Sequence, residues 1–145
     1  MLDEALAAIH TVKVAGGYAH LFMPESTRIT LPQLRETLVA AEQAGADAFT
    51  VVDSLAICRP AALAYLVRQA VALTDRPIEV HCHSDYGLAT ACMLAAYEAG
   101  VSALNCSINA EASQCRRLPH HHRAGRAGGL ARRRCRPHPA RAGGS

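Results

Sequence analysis

Two histidines stand one residue apart in the segment His81-Cys82-His83-Ser84-Asp85-Tyr86-Gly87. The short apolar run over residues 77–82 suits a strand, and residues i and i+2 of a strand point to the same face. Two imidazoles placed so can reach one cation at about 2.0–2.1 Å each. In a parallel α/β fold the carboxyl ends of the strands form the active face, and this pair would stand there. Gly87 lets the backbone turn tightly into whatever follows. The same spacing also fits two hydrogen-bonded histidines in a strand-to-loop turn. A motif this short does not decide between the two.

The elements that must position the pair alternate along residues 1–110. Leu2, Leu6, Ile9 and Val12 or Lys13 give a helical stripe, and Gly16-Gly17 breaks it. Residues 18–23 form a short apolar run that suits a strand. Thr30 caps a second helix with Pro32 near its first turn; Leu34, Leu38 and Ala41 form its buried face and Gly45 stops it. Residues 48–52 read as a buried strand ending at Asp53. Pro60 opens a third helix with Leu63, Leu66, Val67, Ala70 and Val71 inward. The strand over 77–82 follows, then a helix over 86–99 that Gly100 terminates, then a strand over 101–106. Strands alternating with helices of this length predict parallel βαβ units. Apolar strands without strict alternation are those buried on both faces. The pattern leaves the sheet order open, and a doubly wound sheet and a piece of a TIM barrel fit it equally.

The chain has 145 residues, half of them hydrophobic and none of them Trp, so one domain with an aliphatic core is expected. The net charge of +3 averages two unlike parts. Residues up to 110 carry 6 Lys+Arg against 11 Asp+Glu, and the remainder carries 9 Arg against one Glu. Residues 111–145 are rich in Arg, His, Pro and Gly, with almost no large apolar side chain. Such a stretch cannot bury a face and is expected to be disordered. It looks like GC-rich coding DNA translated out of frame. Its basic run lacks aromatic interleaving, so no nucleic-acid partner is expected. The six cysteines form no C-x-x-C pair, and no basic n-region with an apolar run opens the chain. A reduced, cytoplasmic protein is the expectation, and no stretch approaches the roughly 20 apolar residues that span a bilayer.

The residues around the pair carry a resemblance. Val80-His81-Cys82-His83-Ser84-Asp85-Tyr86-Gly87-Leu88-Ala89-Thr90-Ala91 resembles the H-C-H-N-D-x-G-L-A-x-A-N signature of the pyruvate carboxyltransferase-like (HMG-CoA lyase-like) superfamily, which includes the 2-isopropylmalate, homocitrate and citramalate synthases. Ala44-Gly45-Ala46-Asp47, then Val52-Asp53-Ser54 and Pro60, resembles its G-A-D…D-T-x-G…P strand and loop. Phe22-Met23-Pro24-Glu25-Ser26-Thr27-Arg28 resembles the synthases' F-S-x-E-D-x-x-R, and Cys106-Ser107-Ile108-Asn109 the T-x-N-G of the next strand. The family's R-D-G and G-N-A motifs, which carry further metal ligands, do not occur.

The resemblance implies a partial TIM (β/α)8 barrel of about four βα units over residues 1–110, corresponding to the fourth to seventh strands and truncated at both ends. It implies that His81 and His83 hold a divalent cation (Mg, Mn or Zn), that Glu25 and Ser54 lie at the 2-oxo acid, and that Glu25 and Arg28 are the catalytic pair. The implied activity is that of an acyltransferase of amino-acid biosynthesis and carboxylic acid metabolism. Acetyl-CoA would condense with the 2-oxo acid on a metal that polarises the ketone. A lyase that cleaves a carbon–carbon bond is the alternative within the superfamily, and a catalytically inactive fragment is the alternative outside it. A homodimer is implied for the intact family.

Overall fold

A computed structural model of the chain describes residues 2–107. Helix α1 (Leu2–Val14) leads into strand β1 (His20–Met23), and a short 3-10 turn follows at Ser26–Arg28. Then come α2 (Leu31–Gln43), β2 (Ala48–Asp53), α3 (Pro60–Leu73), β3 (Ile78–Cys82), α4 (Ala89–Glu98) and β4 (Ala103–Asn105). The tail expected to be disordered lies outside the described residues, as do Ile108 and Asn109.

The local signals act as their chemistry requires. Thr30 caps α2 in a capping box: its hydroxyl accepts the Gln33 N–H while the Gln33 side chain accepts the Thr30 N–H. Gly45 sits at φ 102 just after α2, and a Cβ there would come within 2.9 Å of Lys13 Cγ. Only glycine meets both demands. Helix α4 starts at Ala89, three residues later than the expected 86, because Ser84–Gly87 form a turn closed by Gly87 N–H to Ser84 carbonyl. On α1 only Ile9 is fully buried, and Val12 is exposed. Val71, expected inward, is also exposed: it lies beside, not on, the stripe of Leu63, Leu66, Val67 and Ala70 that meets the sheet.

All strand pairs are parallel, in the order β1-β2-β3-β4. A doubly wound sheet reverses its order at a switch point, whereas a barrel adds each strand beside the last. The sequential order therefore matches the barrel. Alternation divides the sheet into two faces. Met23, Phe49, Val51, Ile78, Val80, Cys82 and Leu104 join Leu34, Leu38, Leu63, Val67 and Met93 in one apolar core under the helices, aliphatic as expected except for Phe49. The intervening residues, among them His20, Phe22, Thr50, Glu79, His81 and Asn105, occupy the opposite face, which no described helix covers. No disulfide joins the four described cysteines. No described helix is long and apolar enough to cross a membrane.

Candidate functional site at the carboxyl edge of the sheet

The carboxyl ends of β1, β2 and β3 are stitched together by side chains. Ser26, 1% exposed, donates from its hydroxyl to the Met23 carbonyl at 2.8 Å and accepts the Val52 N–H at 2.7 Å. It thereby continues the β1–β2 pairing past the point where β1 ends. Asp53, also 1% exposed, accepts the Cys58 N–H at 3.0 Å and the Thr27 hydroxyl at 3.3 Å. Its carbonyl accepts the His83 N–H at 3.2 Å. These contacts hold the loops after β1 and β2 and the end of β3 as one edge. Sequence reasoning missed Ser26 and Thr27 as anchors, although Ser26 occupies the acidic position of the F-S-x-E-D-x-x-R pattern, where a side-chain acceptor is expected.

On that edge the expected residues meet in two groups. The Glu25 N–H donates to Ser54 Oγ at 3.0 Å. Glu25 itself is held in the left-handed region at φ 56, ψ 22, a conformation that costs a non-glycine residue energy and is kept where the surroundings demand it. Its carboxylate accepts from Arg28 Nη1 at 3.1 Å, and both side chains are more than half exposed. Arg28 follows Glu25 by three residues where the synthase pattern has four, and the 3-10 turn brings it back onto the carboxylate. The second group is His81 and His83, whose ring centroids lie 5.1 Å apart at an interplanar angle of 85°. Burial first, and the neighbouring His83 second, hold the His81 imidazole below its ordinary value, against a hydrogen bond with the Asn105 backbone. A neutral imidazole with a lone pair to offer is thus its state at neutral pH. Asp85 is exposed in the turn beyond the pair.

Two imidazoles bound to one cation at about 2.1 Å, with an angle between a right angle and the tetrahedral one, place their centroids about 4.6–5.3 Å apart. The observed 5.1 Å falls in that range. Among the described residues, no group of three His, Cys, Asp or Glu is placed to hold a metal ion. The spacing of the two rings is compatible with a shared cation, and no third donor stands with them among the described residues.

A sequential parallel sheet with a polar, loop-built carboxyl edge defines a segment of a (β/α)8 barrel. The chain belongs to the HMGL-like family, whose match spans residues 1–114. It is 38% identical over 109 residues to the 2-isopropylmalate synthase of Methanocaldococcus jannaschii, covering 75% of this chain and 21% of that protein. It is 32% identical over 109 residues to the homocitrate synthase AksA of Methanopyrus kandleri, covering 75% of this chain and 28% of that one. Among solved structures, the carboxyl transferase domain from Rhizobium etli pyruvate carboxylase with pyruvate matches at a TM-score of 0.62 and 27% identity, over 72% of this chain and 19% of that one. The chain thus spans 21% to 28% of the length of these two curated relatives.

Proposed function

We propose that these βα units belong to a divalent-metal-dependent acyltransferase that condenses acetyl-CoA with a 2-oxo acid. One observation carries the reading: His81 and His83 stand 5.1 Å apart on the edge that also presents Ser54, Glu25 and Arg28. The synthase names of both relatives support it, as does the pyruvate, itself a 2-oxo acid, bound to the transferase domain. A divalent cation (Mg, Mn or Zn) held by His81 and His83 would supply Lewis acidity to the ketone of the 2-oxo acid.

The chain's own residues do the rest. The Ser54 hydroxyl accepts from Glu25 and keeps its proton to donate to a substrate carboxylate. Arg28 adds a fixed positive charge there, in the planar geometry that suits a carboxylate. The Glu25 carboxylate, steadied by Arg28, is the base placed to take a proton from the acetyl methyl carbon. The resulting carbanion attacks the ketone carbon, the ketone oxygen takes the electron pair of the broken C–O π bond and the proton that Glu25 removed, and water then cleaves the thioester to give a carboxylate and free CoA.

A second reading has its own support. With two donors described and no third, the chain would bind a cation weakly and turn nothing over. Calorimetric titration of Mn2+ into the full chain, with His81→Ala beside it, tests the site. Binding weakened about tenfold or more in the variant is expected, and equal affinity would overturn the metal site. Thiol release from acetyl-CoA across a set of 2-oxo acids then separates the readings. Metal binding without release identifies the non-catalytic one.

A further inference from the structure

The four described cysteines belong to the core or pack against it, and two of them face each other across neighbouring strands. The β3–β4 register sets His81 opposite Asn105, so it sets Cys82 opposite Cys106 and His83 opposite Ser107. His83 and Ser107 are both single-residue bridges, so the register holds beyond the end of β4. Cys82 alternates with His81 and His83 and points to the helix side, where it is fully buried in the core. Cys106, half-buried, packs against the same core. Neither is in a disulfide.

Strand pairing fixes the spacing of the two residues. Neighbouring strands run about 4.7–4.9 Å apart, inside the Cα separation of about 4.4–6.8 Å that a disulfide accepts. Their Cβ atoms stand near the strand spacing, a little beyond the about 3.5–4.5 Å of an unstrained bond, and a strained disulfide is the more readily reduced kind. The other two cysteines are turned elsewhere. Cys92 donates from Sγ to the Cys58 carbonyl at 3.1 Å, and the Cys58 thiol faces the Arg59 carbonyl at 3.7 Å. Burial, and then the Asp53 carboxylate, push the Cys58 thiol above its ordinary value of 9.0, which keeps it protonated and slow to react.

We infer that Cys82 and Cys106 are a redox-sensitive dithiol, which a peroxide closes to a disulfide between the ends of β3 and β4. Cys106, the more exposed of the two, meets the oxidant. Its sulfur attacks one peroxide oxygen, the O–O bond breaks, and a sulfenic acid and one water result. The Cys82 sulfur then attacks the Cys106 sulfur and displaces hydroxide, which takes the Cys82 thiol proton and leaves as a second water. The two thiols lose two electrons in all, and hydrogen peroxide is reduced to two waters. The bond ties the edge strand to its neighbour directly behind the histidine pair, and a thiol reductant reopens it. Disulfides in reducing compartments are of this transient, redox-sensing kind. The dithiol stands on the strand register and holds whether or not His81 and His83 take a cation.

In the test, the reduced full chain is treated with hydrogen peroxide in EDTA, capped at its remaining thiols with N-ethylmaleimide in urea, and digested without reductant. Chymotrypsin and Glu-C together cut after Tyr86, Leu104 and Glu111, which leaves Cys82, Cys92, Cys106 and Cys115 on separate peptides. The expected product joins the Cys82 and Cys106 peptides and parts with dithiothreitol. It is expected to persist in Cys92→Ser and in a chain carrying both Cys115→Ser and Cys135→Ser, and to be lost in Cys106→Ser. When the chain is oxidised in concentrated urea, where no register holds the sulfurs together, mixed pairs should replace it. Cys82 recovered with its maleimide cap after oxidation, or joined chiefly to another cysteine, overturns the inference. So does an equal yield of the Cys82–Cys106 pair in urea, since nearness along the chain and not the fold would then make the bond. The parent chain alone decides these outcomes, so a variant that fails to fold does not obscure them.

Discussion

The backbone N–H of Glu25 donates to Ser54 Oγ at 3.0 Å and joins two loops 29 residues apart in sequence. The bond accompanies a left-handed backbone at Glu25, φ 56. That conformation costs a residue with a Cβ about 1–2 kcal/mol. Glu25→Gly removes this cost and forfeits an exposed ion pair worth about 0–1 kcal/mol. The added chain entropy of glycine offsets a further part, about 0.5–1 kcal/mol. The variant is therefore expected to unfold in urea at the parent midpoint or slightly above it, while losing any 2-oxo acid-dependent release of CoA. A midpoint clearly below that of the parent would show that Glu25 is not strained.

A second prediction concerns Asp47, which ties α1 to the start of β2. Its carboxylate accepts from Lys13 Nζ at 3.0 and 2.8 Å and from the Ala19 N–H at 2.8 Å. The Lys13 hydrogen bond, then that of Ala19, holds the carboxyl below its ordinary value of 3.8. The unfolded chain therefore takes up a proton that the folded chain still refuses. This contribution is complete above about pH 4 and is lost as pH falls through the depressed folded value. Asp47→Asn should lower stability at neutral pH by about 1–2 kcal/mol. It should also flatten the acid limb of stability against pH. Parallel acid limbs in the two proteins would contradict the assignment.

Most of the fold was legible because its signals are local. Thr30 and Pro32 mark the start of α2, Gly45 and Gly100 mark helix ends at φ 102, and the stripe of Leu34, Leu38 and Ala41 is fully buried. The histidine pair was legible for the same reason, since its two members are two residues apart on one strand. Contacts between side chains of different strands were not, such as His20 Nε2 to Thr50 Oγ1 at 2.7 Å and Asn105 Nδ2 to Glu79 Oε2 at 2.9 Å. His20, Thr50, Glu79 and Asn105 come from four strands, and only the register brings them together. The start of α4 was misjudged because Tyr86 continues the helical pattern while Gly87, at φ 73, closes a turn ahead of it. Sheet order could not come from periodicity at all, because stepwise addition and a switch point use the same alternation of strand and helix.

The core makes a third prediction, which sets a buried position against one expected inward and found exposed. Leu38 is fully buried between α2 and the sheet, whereas Val71 is 38% exposed. Leu38→Ala should cost about 2–5 kcal/mol, the range for an aliphatic side chain whose removal leaves a cavity. Val71→Ala should cost under about 1 kcal/mol, since an exposed position opens no cavity and alanine is the better helix former. Urea midpoints of the two variants give the comparison directly. A loss at Val71 as large as that at Leu38 would place Val71 back in the core.

The last prediction follows from the open side of the sheet. Strands β1 and β4 each have one neighbour among the described strands. Their outer N–H and C=O groups are a template for pairing with another chain. The face opposite the helices presents Phe22 at 49% exposure, and Tyr18 precedes β1 at 62%. Large apolar groups beside an open edge add a dispersed driving force to the backbone template. The full chain is expected to sediment with a concentration-dependent average mass. Phe22→Ser should shift it toward monomer without lowering helix content, because Phe22 lies outside the core beneath the helices. A mass that stays monomeric at every concentration would mean that the edges are protected within one chain.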